Sequence, residues 1–196
     1  MKIMRFALCL VAILAILLTA GCDSKEENKA APSTNTATST EQSTAPSSQP
    51  TVPKTVQPQE IEVKVYYPNN QGTKLTASTR KVKVDDKQDK YTAAIRALMQ
   101  GAKDKGQSTI IPKQARLNGV TIKDATATVD FSREIVKNFV GGSTGEEMMV
   151  GSIVNTLTQF PEVTQVKILV GGEPVETIAG HMDLSLPLER MQQLIP

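Results

Sequence analysis

Apolar and polar positions begin to alternate at Glu60. Ile61, Val63, Val65 and Tyr67 fall on one side and Glu62, Lys64 and Tyr66 on the other, until Pro68-Asn69-Asn70 breaks the run. A period of two predicts a strand with one buried face, and the Pro-Asn-Asn sequence predicts a turn. Leu75, Val82 and Val84 predict a second extended stretch. The period then lengthens. Tyr91, Ala94, Ile95, Leu98 and Met99 stand at i, i+3, i+4, i+7 and i+8, which puts them on one stripe of a helix. Asp86 or Asp89 can cap its start and Gly101 its end.

Alternation returns between Arg116 and Ser132. Val120 and Ile122 lie before a tight Lys123-Asp124-Ala125 connection and Ala127, Val129 and Phe131 after it, which predicts a hairpin. Ile135, Val136, Phe139 and Val140 form a short apolar segment that ends at Gly141-Gly142. A second helix is expected from Ser143 or Thr144, because Ser143 with Glu146, and Thr144 with Glu147, have the spacing of a capping box. Its apolar stripe is Met149, Val150, Ile153, Val154 and Leu157, and Pro161 stops it. Val166, Ile168 and Val170 make a last clear strand, and beyond Gly180 the pattern is irregular. Two amphipathic helices need an apolar surface, and strands with one apolar face supply it. The expectation is a single α+β domain over residues 60–196, with two helices on one face of a mixed β-sheet.

The preceding residues follow other rules. Lys2 and Arg5 precede 13 consecutive apolar residues, Phe6 to Leu18, and then small residues, so residues 1–21 read as a signal peptide. A membrane-spanning helix needs about 20 apolar residues. Leu18-Thr19-Ala20-Gly21-Cys22 resembles the bacterial lipoprotein box, although Thr19 stands where that pattern usually has Leu. The resemblance implies cleavage before Cys22 and its modification with diacylglycerol and acyl chains such as palmitate. Such a change would also remove the one thiol left after cleavage in an exported protein. At roughly 0.8 kcal/mol per buried CH₂, several chains anchor durably where one does not. Residues 22–59 read as a disordered tether. Of the 37 residues after Cys22, 26 are Ser, Thr, Pro, Ala or Gln, too little apolar surface to offset the entropy of ordering.

Charge and composition narrow the chemistry. Twenty-two Lys and Arg against 20 Asp and Glu leave a net charge of +2, which argues against nucleic acid as a partner. His181 is the only histidine; together with Asp183 it offers two ligands, where a zinc site needs three or four. Asp85, Asp86 and Asp89 open a helix, where acidic residues are expected without any metal. No metal and no cofactor are therefore expected. His181, Asp183 and Ser185 contain the residue types of a hydrolytic triad, but side chains at i and i+2 of a strand run parallel and do not form the relay. No catalytic residue is assigned.

The chain resembles the GerM-type domain of sporulation and spore germination, found in bacterial envelope lipoproteins. The residues that carry the resemblance are Ala97-Leu98-Met99-Gln100-Gly101, Ile111-Pro112, Ala127-Thr128-Val129-Asp130-Phe131-Ser132 and Ile153-Val154-Asn155-Thr156-Leu157-Thr158-Gln159-Phe160. Ala102 stands where the family commonly has Pro, and Ala125 where it commonly has Gly after Asp. The resemblance implies a non-enzymatic module that binds or assembles in the cell envelope, and related folds that build rings make self-assembly a further expectation.

Asn155 and Thr156 are poor interior helix formers placed among apolar neighbours. They are expected either to hydrogen-bond a neighbouring loop or to form a polar contact point in a binding groove. Tyr66, on the outward side of the first strand's alternation, is a third candidate binding residue. The expected partners are the membrane, through lipid on Cys22, and an envelope protein or a second copy of the chain. The alternative is a cell-wall-active enzyme or an accessory hydrolase subunit.

Overall fold

The computed structural model describes residues 57–196. The signal peptide, Cys22 and the tether up to residue 56 lie outside the described residues. The first alternating segment forms β1 (Gln59–Pro68) and pairs antiparallel with β2 (Leu75–Val84) in register from Pro68↔Leu75 to Gln59↔Val84. Asn69 ties the turn, its side-chain oxygen accepting from the Thr73 N–H at 3.0 Å. The helix α1 (Lys90–Met99) follows, and of the two capping candidates Asp89 is used. Its carboxylate accepts from the Tyr91 and Thr92 N–H groups. Gly101 ends the helix at φ +86°, and a Cβ there would stand 2.7 Å from the Thr109 hydroxyl, so only glycine fits.

The hairpin β3 (Leu117–Lys123) and β4 (Thr126–Phe131) is as the alternation predicts. After the short α2 (Glu134–Lys137) and the long α3 (Ser143–Leu157), β5 (Gln165–Val170) returns parallel to β4, from Thr126↔Gln165 to Phe131↔Val170. Two short strands, β6 (Glu173–Pro174) and β7 (Leu188–Glu189), both pair antiparallel with β5, and a 3-10 turn at Gln192–Leu194 ends the tail. Parallel and antiparallel pairs in one sheet, with helices packed on strands, make this an α+β fold with a mixed sheet, as expected.

The strands divide into two hydrogen-bonded sets, β1–β2 and a five-stranded sheet built on β3-β4-β5. The reason lies at the second edge of β1. There the side chains of α3 and of the residues after it take the place of another strand. The Tyr66 N–H donates to Thr156 Oγ1 at 3.1 Å, the Lys64 N–H donates to Gln159 Oε1 at 2.6 Å, and Gln159 Nε2 donates back to the Lys64 carbonyl.

The second helix departs from the expected amphipathic stripe. Every residue from Met148 to Leu157 is buried. A helix covered all round lies at the centre of its domain rather than on a face. Phe131, Leu75, Ile95 and Leu98 join its apolar residues in one core, and Leu184, Met191 and Leu194 of the irregular tail close over it. Gly151 makes that closure possible. A Cβ there would collide with Leu194 and stand 3.1 Å from Leu75 Cδ1.

The expected capping box is not formed. Gly142 occupies the N-cap without a side-chain bond, and Glu146 turns away from its own helix end into the interior, where it is fully buried. Its spacing from Ser143 carried the right residue type for a different partner.

Candidate functional site

The three binding candidates read from the sequence meet at one place, and a residue with no sequence signal joins them. Asn155, on the fully buried side of α3, exchanges two hydrogen bonds with the backbone of Met191: its Nδ2 donates to the carbonyl at 3.1 Å, and its Oδ1 accepts from the N–H at 2.9 Å. This is the bond pattern of a paired strand, made by one side chain, and it fastens the tail to the helix. Thr156 holds β1 through the Tyr66 N–H. Both residues thus bind neighbouring backbone rather than standing open in a groove.

Arg190, the residue before that anchor, joins Asn155 to Tyr66. Its Nη1 donates to the Asn155 carbonyl at 3.2 Å and to Thr158 Oγ1 at 3.3 Å, and its Nη2 donates to the Tyr66 hydroxyl at 2.7 Å. The guanidinium also lies 5.2 Å from the centre of the Tyr66 ring. Tyr66 therefore does not point outward into solvent as the alternation predicts; it is 6% exposed. Arg190 of the C-terminal tail covers the second face of β1 at Tyr66, while Glu62 and Lys64 on that face stay exposed, and the tail has no periodicity from which that cover could be read.

Around this junction opens a cleft of about 480 Å³, with Glu62, Lys64 and Tyr66 along β1 and Thr158, Gln159 and Arg190 opposite. Its chemistry is that of a polar binding surface: an acid and a base on the strand, a fixed guanidinium and an amide across from them. The Thr158 hydroxyl is already engaged, donating to the Val154 carbonyl at 2.8 Å while accepting from Arg190.

Glu146 is the functional-looking group that the sequence reading placed wrongly. Oε1 accepts from the Thr177 hydroxyl at 2.7 Å and from the N–H groups of Ile178 at 2.8 Å and Ala179 at 2.9 Å; Oε2 accepts from the His181 N–H at 2.9 Å. Burial pushes its carboxyl pKa up, but the Thr177 hydroxyl and the Ala179, Ile178 and His181 N–H groups outweigh it and hold the pKa below the ordinary value. A buried acid in the first turn of a helix has the look of a catalytic carboxylate; here it is the anchor of a loop.

That loop carries His181, Asp183 and Ser185, which all line a shallow bowl of about 510 Å³. Ser185 Oγ donates directly to Asp183 Oδ1 at 2.6 Å, and the Ser185 N–H donates to the same oxygen at 2.9 Å. In a hydrolytic triad the imidazole stands between serine and acid. Here serine and acid meet without it, closing a local turn, and those two bonds hold the Asp183 carboxyl below its usual range. The acidic residues before α1 are similarly occupied: Asp85 accepts from the Lys87 and Gln88 N–H groups and Asp89 caps the helix. Among the described residues no three His, Cys, Asp or Glu side chains gather as a metal site would need.

A small α+β module, with a central buried helix pinned by polar side chains to a strand edge and to the C-terminal tail, is the class that the fold and this junction define. The family model for sporulation and spore germination, named Germane, matches residues 64–176, and the chain belongs to that family. Among solved structures, the tandem GerMN domains of the sporulation protein GerM from Bacillus subtilis are similar at 24% identity. That match covers 77% of this chain and 51% of the other, with a TM-score of 0.52, so the chain spans about half of the tandem protein. The first GerMN domain of the same protein, also at 24% identity and a TM-score of 0.52, is covered over 98% of its length by 66% of this chain. A candidate lipoprotein from Clostridium perfringens is 27% identical over 68% of this chain and 89% of that one, with a TM-score of 0.48. No curated protein matches.

Proposed function

We propose that the chain is an envelope lipoprotein whose domain is a non-catalytic docking module acting in sporulation or germination. In this reading acyl chains on Cys22 hold it to the outer side of the cell membrane and residues 22–59 serve as a tether. The cleft between β1 and Arg190 meets the partner, an envelope protein or a second copy of the chain. One observation carries the non-catalytic part: Glu146, Asn155 and Thr156, the buried polar residues best placed for chemistry, each bind the protein's own backbone. Family membership supports the physiological setting.

Cross-linking from a photoreactive residue at Lys64 in living cells is expected to trap a larger species. A chain that stays monomeric and uncaptured, in sporulating and germinating cells alike, would defeat the docking reading. The enzyme alternative would use the His181 bowl, the one candidate set of catalytic residue types that the sequence offered. Peptidoglycan digestion by the purified chain, abolished in His181→Ala, would establish that alternative instead.

A further inference from the structure

Residues of an antiparallel strand pair exchange hydrogen bonds at alternate positions, and between them the N–H and C=O groups point outward. On β1 the outward positions are Lys64 and Tyr66, since their backbone groups bond to Gln159 and Thr156. Their register partners on β2 are Thr79 and Ala77, and Lys81 continues the period opposite Glu62 and Lys83 opposite Glu60. The backbone groups of these four exposed residues therefore point away from β1, along the other edge of the hairpin.

The two edges are finished differently. Side chains of α3 and the residues after it close the edge of β1. On β2 a single amide does so at the strand's end, where Gln88 Nε2 donates to the Lys83 carbonyl at 2.8 Å. Among the described residues, none bonds to the outward N–H and C=O groups of Ala77, Thr79 and Lys81. Between this open edge and α1 runs a groove of about 230 Å³. Val82, Ala93 and Ala97 give it apolar surface, and Arg96, Gln100 and Lys103 stand along its helix side. The side chains of Lys81 and Lys83 lie on the opposite face of β2, beside Glu62 and Glu60, so these residues border the groove with their edge backbone. Arg80 brings no free charge to it, being 12% exposed and 3.5 Å from Asp104. Arg96 and Lys103 do: they donate only to the amide oxygens of Gln88 and Gln100, and no described residue lining the groove is an acid.

We propose that this edge accepts an extended acidic segment of a partner protein as a third strand beside β2. The open backbone groups of Ala77, Thr79 and Lys81 supply the ladder. Alternate side chains of the added strand, about 7 Å apart, enter the groove against α1. Ala93 and Ala97 leave room for them, and Arg96 and Lys103 favour carboxylates at those positions. On the other face Glu60 and Glu62 already compensate Lys81 and Lys83, so the outward positions of the added strand need no charge. This surface is separate from the Arg190 cleft and does not depend on the docking role of that cleft.

The test uses the full chain in neutral detergent. The probe is a synthetic peptide, capped at both ends, that alternates threonine and glutamate and is long enough to pair from Ala77 to Lys83. Saturable amide shifts at Ala77, Thr79, Lys81 and Arg96 are expected. Lysine in place of glutamate should weaken the affinity at least tenfold, and methylation of alternate peptide nitrogens, which blocks the ladder, should abolish binding. Arg96→Glu should weaken the acidic peptide at least tenfold and improve the lysine peptide, whereas Lys113→Glu should change either less than twofold. The amide spectra of both variants report that they are folded. No saturation, equal binding of the methylated peptide, or shifts confined to the surroundings of Lys64 and Arg190 would overturn the proposal. Concentration-dependent shifts at Ala77, Thr79 and Lys81 without any peptide would give the edge to a second copy and overturn the acidic partner.

Discussion

Ala125 and Asp124 hold φ values of +60° and +49°, in the left-handed region where a side chain costs roughly 1–2 kcal/mol. The β3–β4 register forces this, because a two-residue connection between right-twisted strands needs that backbone at both positions. Ala125→Gly should therefore raise stability by about 0.5–1 kcal/mol after the entropy that glycine adds to the unfolded chain. Chemical denaturation would measure it, and a lower midpoint would refute the strain argument. Glu146 gives a prediction of opposite sign. Replacing it with Ala leaves the Thr177–His181 donors without an acceptor, so a loss of about 2–4 kcal/mol is expected. Its carboxyl titrates below the ordinary 4.5 in the folded protein, so its stabilisation is complete above that pH and lost as pH falls through the lower folded value. Melting temperature followed from pH 6 to pH 3 should fall less steeply in Glu146→Gln than in the parent.

At the scale of elements, α3 fastens three parts of the molecule with three polar residues. Asn155→Ala removes both bonds to Met191, and a loss of about 1–3 kcal/mol is expected, with faster amide exchange in residues 188–196. If exchange in that tail does not change, the tail is held without Asn155, by its apolar residues, the β5–β7 pairing and Arg190. Partner capture by this variant separates the two expectations for Asn155. Capture that persists while stability drops assigns it wholly to the loop contact. The helix could be located from the sequence, since Met149, Ile153 and Leu157 keep its period. That it is enclosed could not, because the cover comes from a tail whose own residues have no period.

For the whole molecule, the docking reading predicts that Cys22→Ser releases the chain from membranes while leaving the domain folded. Retention of that variant in the membrane fraction after a salt wash would remove the acyl anchor from the proposal. Exchange of Arg190 for Ala should act in the other direction, loosening Tyr66, Thr158 and the Asn155 carbonyl together while the anchor is untouched. A drop in cross-linking from Lys64 in that variant, at unchanged membrane association, would assign the cleft to the partner. Dependence on the anchor and dependence on the cleft are thus read separately.

The five longer strands, both long helices and the β3–β4 turn were determined by the order of residues alone, because each rests on neighbours within a few positions of the chain; the choice of Asp89 over Asp86 as the cap, and the short strands β6 and β7, were not. The candidates Asn155 and Thr156 were visible for the same reason: polar residues interrupt a local apolar period. Arg190, the burial of Tyr66 and the role of Glu146 were decided by tertiary structure. Their partners lie 124, 90 and about 30 positions away, and nothing in a local pattern records which distant backbone group an unpaired side chain will meet. The division of the strands into two sheets has the same origin. The edge of β1 carries no mark in the sequence; the side chains of Thr156 and Gln159 close it only once the helix has packed.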